Sequence, residues 1–112
     1  MMKNKVILVP FIFDDLSEMK IRPALCLTDT IKPYDHIVVA FITSRQGTVS
    51  DTDLVIDATD PHFSKTGLKV ASTIRLHRLA TVGKSLIRRE IGRISQNHQE
   101  QINLRLRKLF KL

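Results

Sequence analysis

Arginines and hydroxyls collect at the ends of apolar runs in this sequence, and one histidine joins them. The run from His36 to Ile42 closes on Thr43, Ser44 and Arg45. Farther on, Lys69-Val70-Ala71-Ser72-Thr73-Ile74-Arg75-Leu76-His77-Arg78-Leu79 alternates, which puts Thr73, Arg75 and His77 on one strand face and Ile74, Leu76 and Arg78 on the other. Such groups suit the hydrolysis of RNA, because the substrate's own 2′-hydroxyl is a nucleophile already held beside its phosphate. A protein then has to supply a base for that hydroxyl, cationic donors for the charge growing on phosphate, and an acid for the departing 5′-oxygen. Arginine fits the middle role, since its planar fork matches phosphate oxygens and its charge does not titrate away.

Other chemistries find less support. His36, His62, His77 and His98 stand at no metal-ligand spacing, and the lone Cys26, between Leu25 and Leu27, reads as a small buried hydrophobe. Asp14-Asp15, Asp51-x-Asp53, Asp57 and Asp60 lack the glycine and spacing of a calcium loop and read as solvated turn residues, so no metal and no cofactor is expected. The four glycines are unclustered, which leaves no phosphate-cradling loop, and no Gly-x-Ser-x-Gly elbow is present.

Charge is distributed unevenly. Residues 1–72 hold 8 basic and 9 acidic side chains, a net of −1, whereas residues 73–112 hold 10 basic and 2 acidic, a net of +8. That asymmetry suits a surface meeting a polyanion, and equally a solvated basic face or an acidic protein partner. No apolar stretch reaches the ~20 residues of a membrane span, and no cleavable leader precedes Val6, so a soluble cytoplasmic protein is expected.

The elements that must position these side chains are mostly strands. Val6–Phe13 is continuous, β-branched and aromatic, with Pro10 against a helix; Ile21–Thr28 is extended ahead of and after Pro23; His36–Ser44 is again β-branched. Leu54–Ile56 and Lys69–Leu79 add a fourth and a fifth strand, Lys84–Glu90 suggests a helical turn, and Ile91–Ile94 a last short strand. Ser95 can cap a helix over about 96–112, with Ile102, Leu106, Leu109 and Phe110 on one face and Arg105, Lys108 and Lys111 largely elsewhere. The expectation is one domain over 1–112: a small, mainly β, partly open barrel with a C-terminal helix, SH3-like or OB-like by pattern alone.

Several blocks carry a resemblance. Val6-Ile7-Leu8-Val9-Pro10-Phe11, Lys20-Ile21-Arg22-Pro23-Ala24-Leu25-Cys26-Leu27 and Val38-Val39-Ala40-Phe41-Ile42-Thr43-Ser44 closely resemble the MazF/PemK family of toxins. Thr66-Gly67-Leu68-Lys69-Val70, Leu79–Ile87 with Lys84-Ser85, and Ile91-Gly92-Arg93-Ile94-Ser95 resemble that family's second half. The resemblance covers roughly residues 4–95. It implies an SH3-like barrel, a homodimer, and a metal-independent, sequence-selective endoribonuclease of a type II toxin-antitoxin system that cleaves single-stranded RNA by 2′-hydroxyl attack. An antitoxin with an acidic, flexible tail would cover its RNA groove. Arg22 and Thr43 match the family's active-site arginine and threonine, and Arg75 a later strand arginine used as acid or phosphate clamp. Arg22 also has acidic neighbours in sequence, Asp14, Asp15 and Glu18, with which it could pair.

The chain departs from the family in three places. Asn4-Lys5 replaces the usual Gly-Asp, affecting a turn. His77 stands where several members have an acidic residue, exchanging one general base for another, since imidazole ordinarily titrates near ~6.5. Tryptophan is absent, so Tyr34 and Phe63 are the remaining stacking platforms and recognition falls to loop hydrogen bonds. Lys20, Ser44, Arg45, Arg78 and Lys84 complete the expected RNA groove. A gyrase inhibitor of the CcdB type and a plain nucleic-acid-binding barrel are the competing readings.

Overall fold

The computed structural model describes residues 1–12, 19–45 and 47–112. The acidic residues with which Arg22 could pair, Asp14, Asp15 and Glu18, lie outside these residues. Among the described residues six strands form one antiparallel sheet: β1 (Lys5–Ile12), β2 (Met19–Cys26), β3 (His36–Thr43), β4 (Asp53–Ile56), β5 (Ser72–Gly83) and β6 (Arg89–Arg93), in the order β4-β5-β3-β2-β1-β6. One helix, α1 (Gln96–Phe110), closes the chain. Short 3-10 turns occupy Phe63–Thr66 and Lys84–Leu86.

The β-branched runs become strands because both of their faces are covered. Val6, Leu25, Ala40, Ile42, Leu54, Ile56, Ile74, Leu76, Ile94 and Ile102 build a first core. Ile7, Val9, Phe11, Ala24, Cys26, Ile37, Val39 and Val82 build a second, with Phe41 packed at its side. Neighbouring residues of one strand, such as Val6 and Ile7 or Ala24 and Leu25, thus serve opposite cores, which explains runs that are apolar without alternation. Cys26 is fully buried, and that burial, with Glu90 adding to it, pushes its thiol up to about 11, leaving it unreactive.

The sheet curls, and the segment after β4 reaches β6. After β4 the chain makes the 3-10 turn at Phe63–Thr66, capped by Gly67 at φ 74°, and lies against β6. A Cβ on Gly67 would strike the backbone carbonyl of Ile91, and one on Gly92 the backbone of Lys65 and Thr66. The two glycines form a seam that permits backbone-to-backbone closure.

Two readings of the pattern are corrected. β5 does not alternate throughout: Phe41 pairs with Arg75 but Ala40 pairs with Leu79, so Leu76, His77 and Arg78 have no partners on β3. This irregularity turns Arg78 away from Ile74 and Leu76 and sets its guanidinium 4.8 Å from the Phe41 ring centroid, towards the second core. On α1, Ile102 is buried and Leu106 packs on the first core, but Phe110 is 54% exposed. Arg105 takes a place on the packed side, donating from Nε to the Asp53 carbonyl at 2.9 Å. His98, Ile102, Arg105 and Leu106 follow helical spacing, so a charged residue shares the inward stripe. Ser95 caps α1 as expected, its hydroxyl accepting from the His98 N–H at 3.1 Å.

Candidate active site

Antiparallel register decides which side chains meet. Val9 pairs with Arg22 and Phe11 with Lys20 on β1–β2; Ala24 pairs with Phe41 on β2–β3; Phe41 pairs with Arg75 and Thr43 with Thr73 on β3–β5. Directly paired residues project to one side of a sheet. Lys20, Arg22, Thr43 and Arg75 therefore share the face of Phe11 and Phe41, at the end where the second core runs out.

The floor of this region is aromatic. The Phe11 and Phe41 rings lie 3.6 Å apart between centroids at 36°, and Arg78 covers Phe41 from the solvent side. Arg22 and Arg78 are exposed, Lys20 and Thr43 half-buried. Arg22 donates to the neighbouring Ile21 carbonyl at 3.4 Å. The Thr43 hydroxyl oxygen accepts from the Arg45 N–H at 3.1 Å, which ties the chain after β3 back towards the site. Ser44 and Arg45 are exposed beside it.

Arg75 and His77 converge on one carboxylate. Arg75 Nη1 donates to Asp53 Oδ2 at 2.8 Å and to the Thr48 carbonyl at 3.2 Å, and Asp53 Oδ2 also accepts from the Ser50 N–H at 2.9 Å. His77 Nδ1 stands 3.8 Å from Asp53 Oδ1, outside hydrogen-bond range. The Asp53 side chain is 1% exposed against 19% for Arg75 and 50% for His77. Pairing explains why the carboxylate tolerates burial. Asp53 is thus no solvated turn residue, which corrects that reading of the Asp51-x-Asp53 segment. The clue in the sequence is its place directly before Leu54-Val55-Ile56, where it is the first residue of the strand facing Arg75.

Other expected residues lie apart. His36 pairs with Gly83 at the opposite end of β3 from Thr43, roughly 23 Å of strand away, and Lys84 follows there. Lys84 lines a pocket of about 570 Å³ with Tyr34, Asp35, His36, Gly83 and Ser85. Tyr34 stacks on His36 with ring centroids 5.6 Å apart, away from the arginines. Phe63 is half-buried against the first core, apart from the arginines. Among the described residues the aromatic rings beside the cations are Phe11 and Phe41, which the pattern marks only as strand interior.

Among the described residues no three His, Cys, Asp or Glu side chains cluster in a way that could hold a metal ion. No helix among them is long and apolar enough to cross a membrane. Chemically, the face offers guanidinium groups, a hydroxyl and an imidazole around an apolar floor, a combination suited to a phosphodiester and its flanking base.

Comparison with known proteins points the same way. A family model described as "PemK-like, MazF-like toxin of type II toxin-antitoxin system" matches residues 3–110. A solved mycobacterial endoribonuclease in complex with its cognate antitoxin has a TM-score of 0.73 and 17% identity, with 100% of this chain and 96% of that one covered. The Mycobacterium tuberculosis toxin MazF-mt6 has a TM-score of 0.72 and 22% identity, covering 96% of this chain and 97% of the other. A further mycobacterial endoribonuclease has a TM-score of 0.69 at 14% identity, over 98% and 91% of the two chains. No curated protein sequence matches.

Proposed function

Because the chain belongs to the PemK-like, MazF-like toxin family of type II toxin-antitoxin systems, we propose that it is a metal-independent, sequence-selective endoribonuclease acting on single-stranded RNA. The observation that carries this reading is the shared face of Lys20, Arg22, Thr43 and Arg75 beside Phe11 and Phe41. Arg22 and Arg75 bind the scissile phosphate, and the Thr43 hydroxyl donates to a phosphate oxygen. Neutral His77 takes the 2′-hydroxyl proton. O2′ then bonds to phosphorus as the P–O5′ bond breaks, leaving a 2′,3′-cyclic phosphate. Solvent protonates the departing 5′-oxygen, and the imidazolium returns its proton to water.

Lys20, Ser44, Arg45 and Arg78 hold the flanking backbone, and Lys84 meets RNA only if the strand runs on to the far end of β3. The protein works as a homodimer, and an antitoxin with an acidic, flexible tail competes with RNA for the same cations, in line with the antitoxin complex of the similar mycobacterial endoribonuclease. Its site of action is the cytoplasm.

The test is a gel assay of purified protein on a long mixed-sequence RNA in excess EDTA. Discrete fragments ending in 2′,3′-cyclic phosphate and 5′-hydroxyl support the reading. Intact RNA with folded protein would replace it by a non-catalytic binding barrel or a gyrase inhibitor.

A further inference from the structure

Among the described residues Asp53 is the most deeply buried carboxylate near the candidate site, and one of its oxygens lacks a hydrogen-bond partner. Its Oδ2 is fully engaged by Arg75 and the Ser50 N–H, whereas Oδ1 is buried without a hydrogen bond. An orphaned carboxylate oxygen costs free energy, so a group that completes it is worth seeking. The side chain facing it is His77, whose Nδ1 lies 3.8 Å away on a half-exposed ring. A ring adjustment of about 0.8 Å brings that nitrogen into hydrogen-bond range.

We infer that Asp53 is a positioning residue: it holds the Arg75 guanidinium through one oxygen and fixes the tautomer of His77 through the other. This rests on the ribonuclease reading. Both Nη1 protons of Arg75 are committed, to Asp53 and to the Thr48 carbonyl, so Nε and Nη2 are the donors left for phosphate. A proton on His77 Nδ1 donates to Asp53 Oδ1 and leaves the Nε2 lone pair outward, the form a general base needs. When Nε2 takes the 2′-hydroxyl proton, the imidazolium forms beside an anion that is already in place.

The anchor is itself anchored from behind. Arg105 of α1 donates to the Asp53 carbonyl at 2.9 Å and to the Gln101 carbonyl at 3.2 Å. Opposite Asp53, Arg75 is held in the β4–β5 register. Backbone and carboxylate of Asp53 are thus each fixed by an arginine from a different element.

Nitrogen-detected NMR of the wild-type imidazoles at mildly alkaline pH, together with steady-state cleavage by Asp53→Asn, tests this. The inference expects the neutral His77 proton on Nδ1 in the wild type and a changed tautomer ratio in Asp53→Asn. It also expects kcat to fall by about 100-fold, the size of a ~1 Å misplacement, with KM within about twofold. A His77 proton on Nε2 in the wild type, or an unchanged kcat in Asp53→Asn, overturns it. Should Asp53→Asn fail to fold, the wild-type spectrum decides. If the wild type cuts no RNA, the ribonuclease reading falls by itself, while the two spectra still decide what Asp53 holds.

Discussion

Arg22 and Thr43 each lie two residues beyond Ala24 and Phe41, the last position at which β2 and β3 pair, and so meet across the continued register. The strands part there, so the two side chains border an opening and not another ladder step. Arg22→Ala should therefore lower cleavage by about 100-fold or more, the loss typical of removing one donor to a developing anion, while the melting temperature barely moves. Gel quantification beside a thermal melt checks this; a cleavage rate equal to wild type removes Arg22 from the site.

The Arg75–Asp53 pair should make Arg75→Met costly to stability as well as to activity. Removing one member of a buried pair leaves the other uncompensated, at about 3 kcal/mol, or a melting temperature lower by about 10 °C for a domain of this size. Asp53→Asn added to Arg75→Met should recover part of that loss, because the stranded charge is gone. Denaturant unfolding of the two variants provides the comparison, and a double variant weaker than Arg75→Met would contradict it.

Acid should loosen the attachment of α1 to the connector. His98, almost wholly buried, meets Asp60 Oδ2 at 2.8 Å through Nε2. The His62 N–H at 2.8 Å, and secondarily the His98 side chain, hold the Asp60 carboxyl below the usual carboxylate range. A group with a depressed folded pKa stabilises above its unfolded value of about 3.9 and loses that contribution as pH falls through the folded value. Asp60→Asn should thus melt lower than wild type near neutrality, and the gap should narrow below about pH 4. Melting curves across that range decide the matter; a constant gap would show that the charge of Asp60 is immaterial.

Gly92→Ala should destabilise by about 1–3 kcal/mol, since the added methyl meets the backbone of Lys65 and Thr66 and no flexible side chain can yield. An unchanged melting temperature would mean that the seam opens without penalty.

Much of this architecture can be read from residue order alone. β1, β2 and β3 follow from continuous β-branched runs, and Ser95 marks the start of α1 in the structure as in the sequence. The far end of β5, residues 80–83, is less legible because its partner, the first half of β3, is fixed only by tertiary register. The same register irregularity carries Arg78 to the other face, which simple alternation cannot foresee. In the candidate site, the common direction of Arg75 and His77 is visible from their spacing, and both indeed turn towards Asp53. Asp53 is harder to see as a site residue: an aspartate between Thr52 and Leu54, after a polar stretch, reads as a turn until Arg75 is set across from it.

The glycine seam and the β1–β6 ladder also impose a timetable on synthesis. Val6 pairs with Gly92 and Lys5 with Arg93, so one edge of β1 has no partner until β6 has been made. At about 5–20 residues per second that edge waits several seconds on the ribosome. Throughout that interval Arg22 and Thr43 already exist, yet the sheet that carries them cannot close. A nascent chain therefore acquires its finished curl only after β6 has been made, and an edge left open that long is the place where a chaperone or a neighbouring nascent chain would first attach.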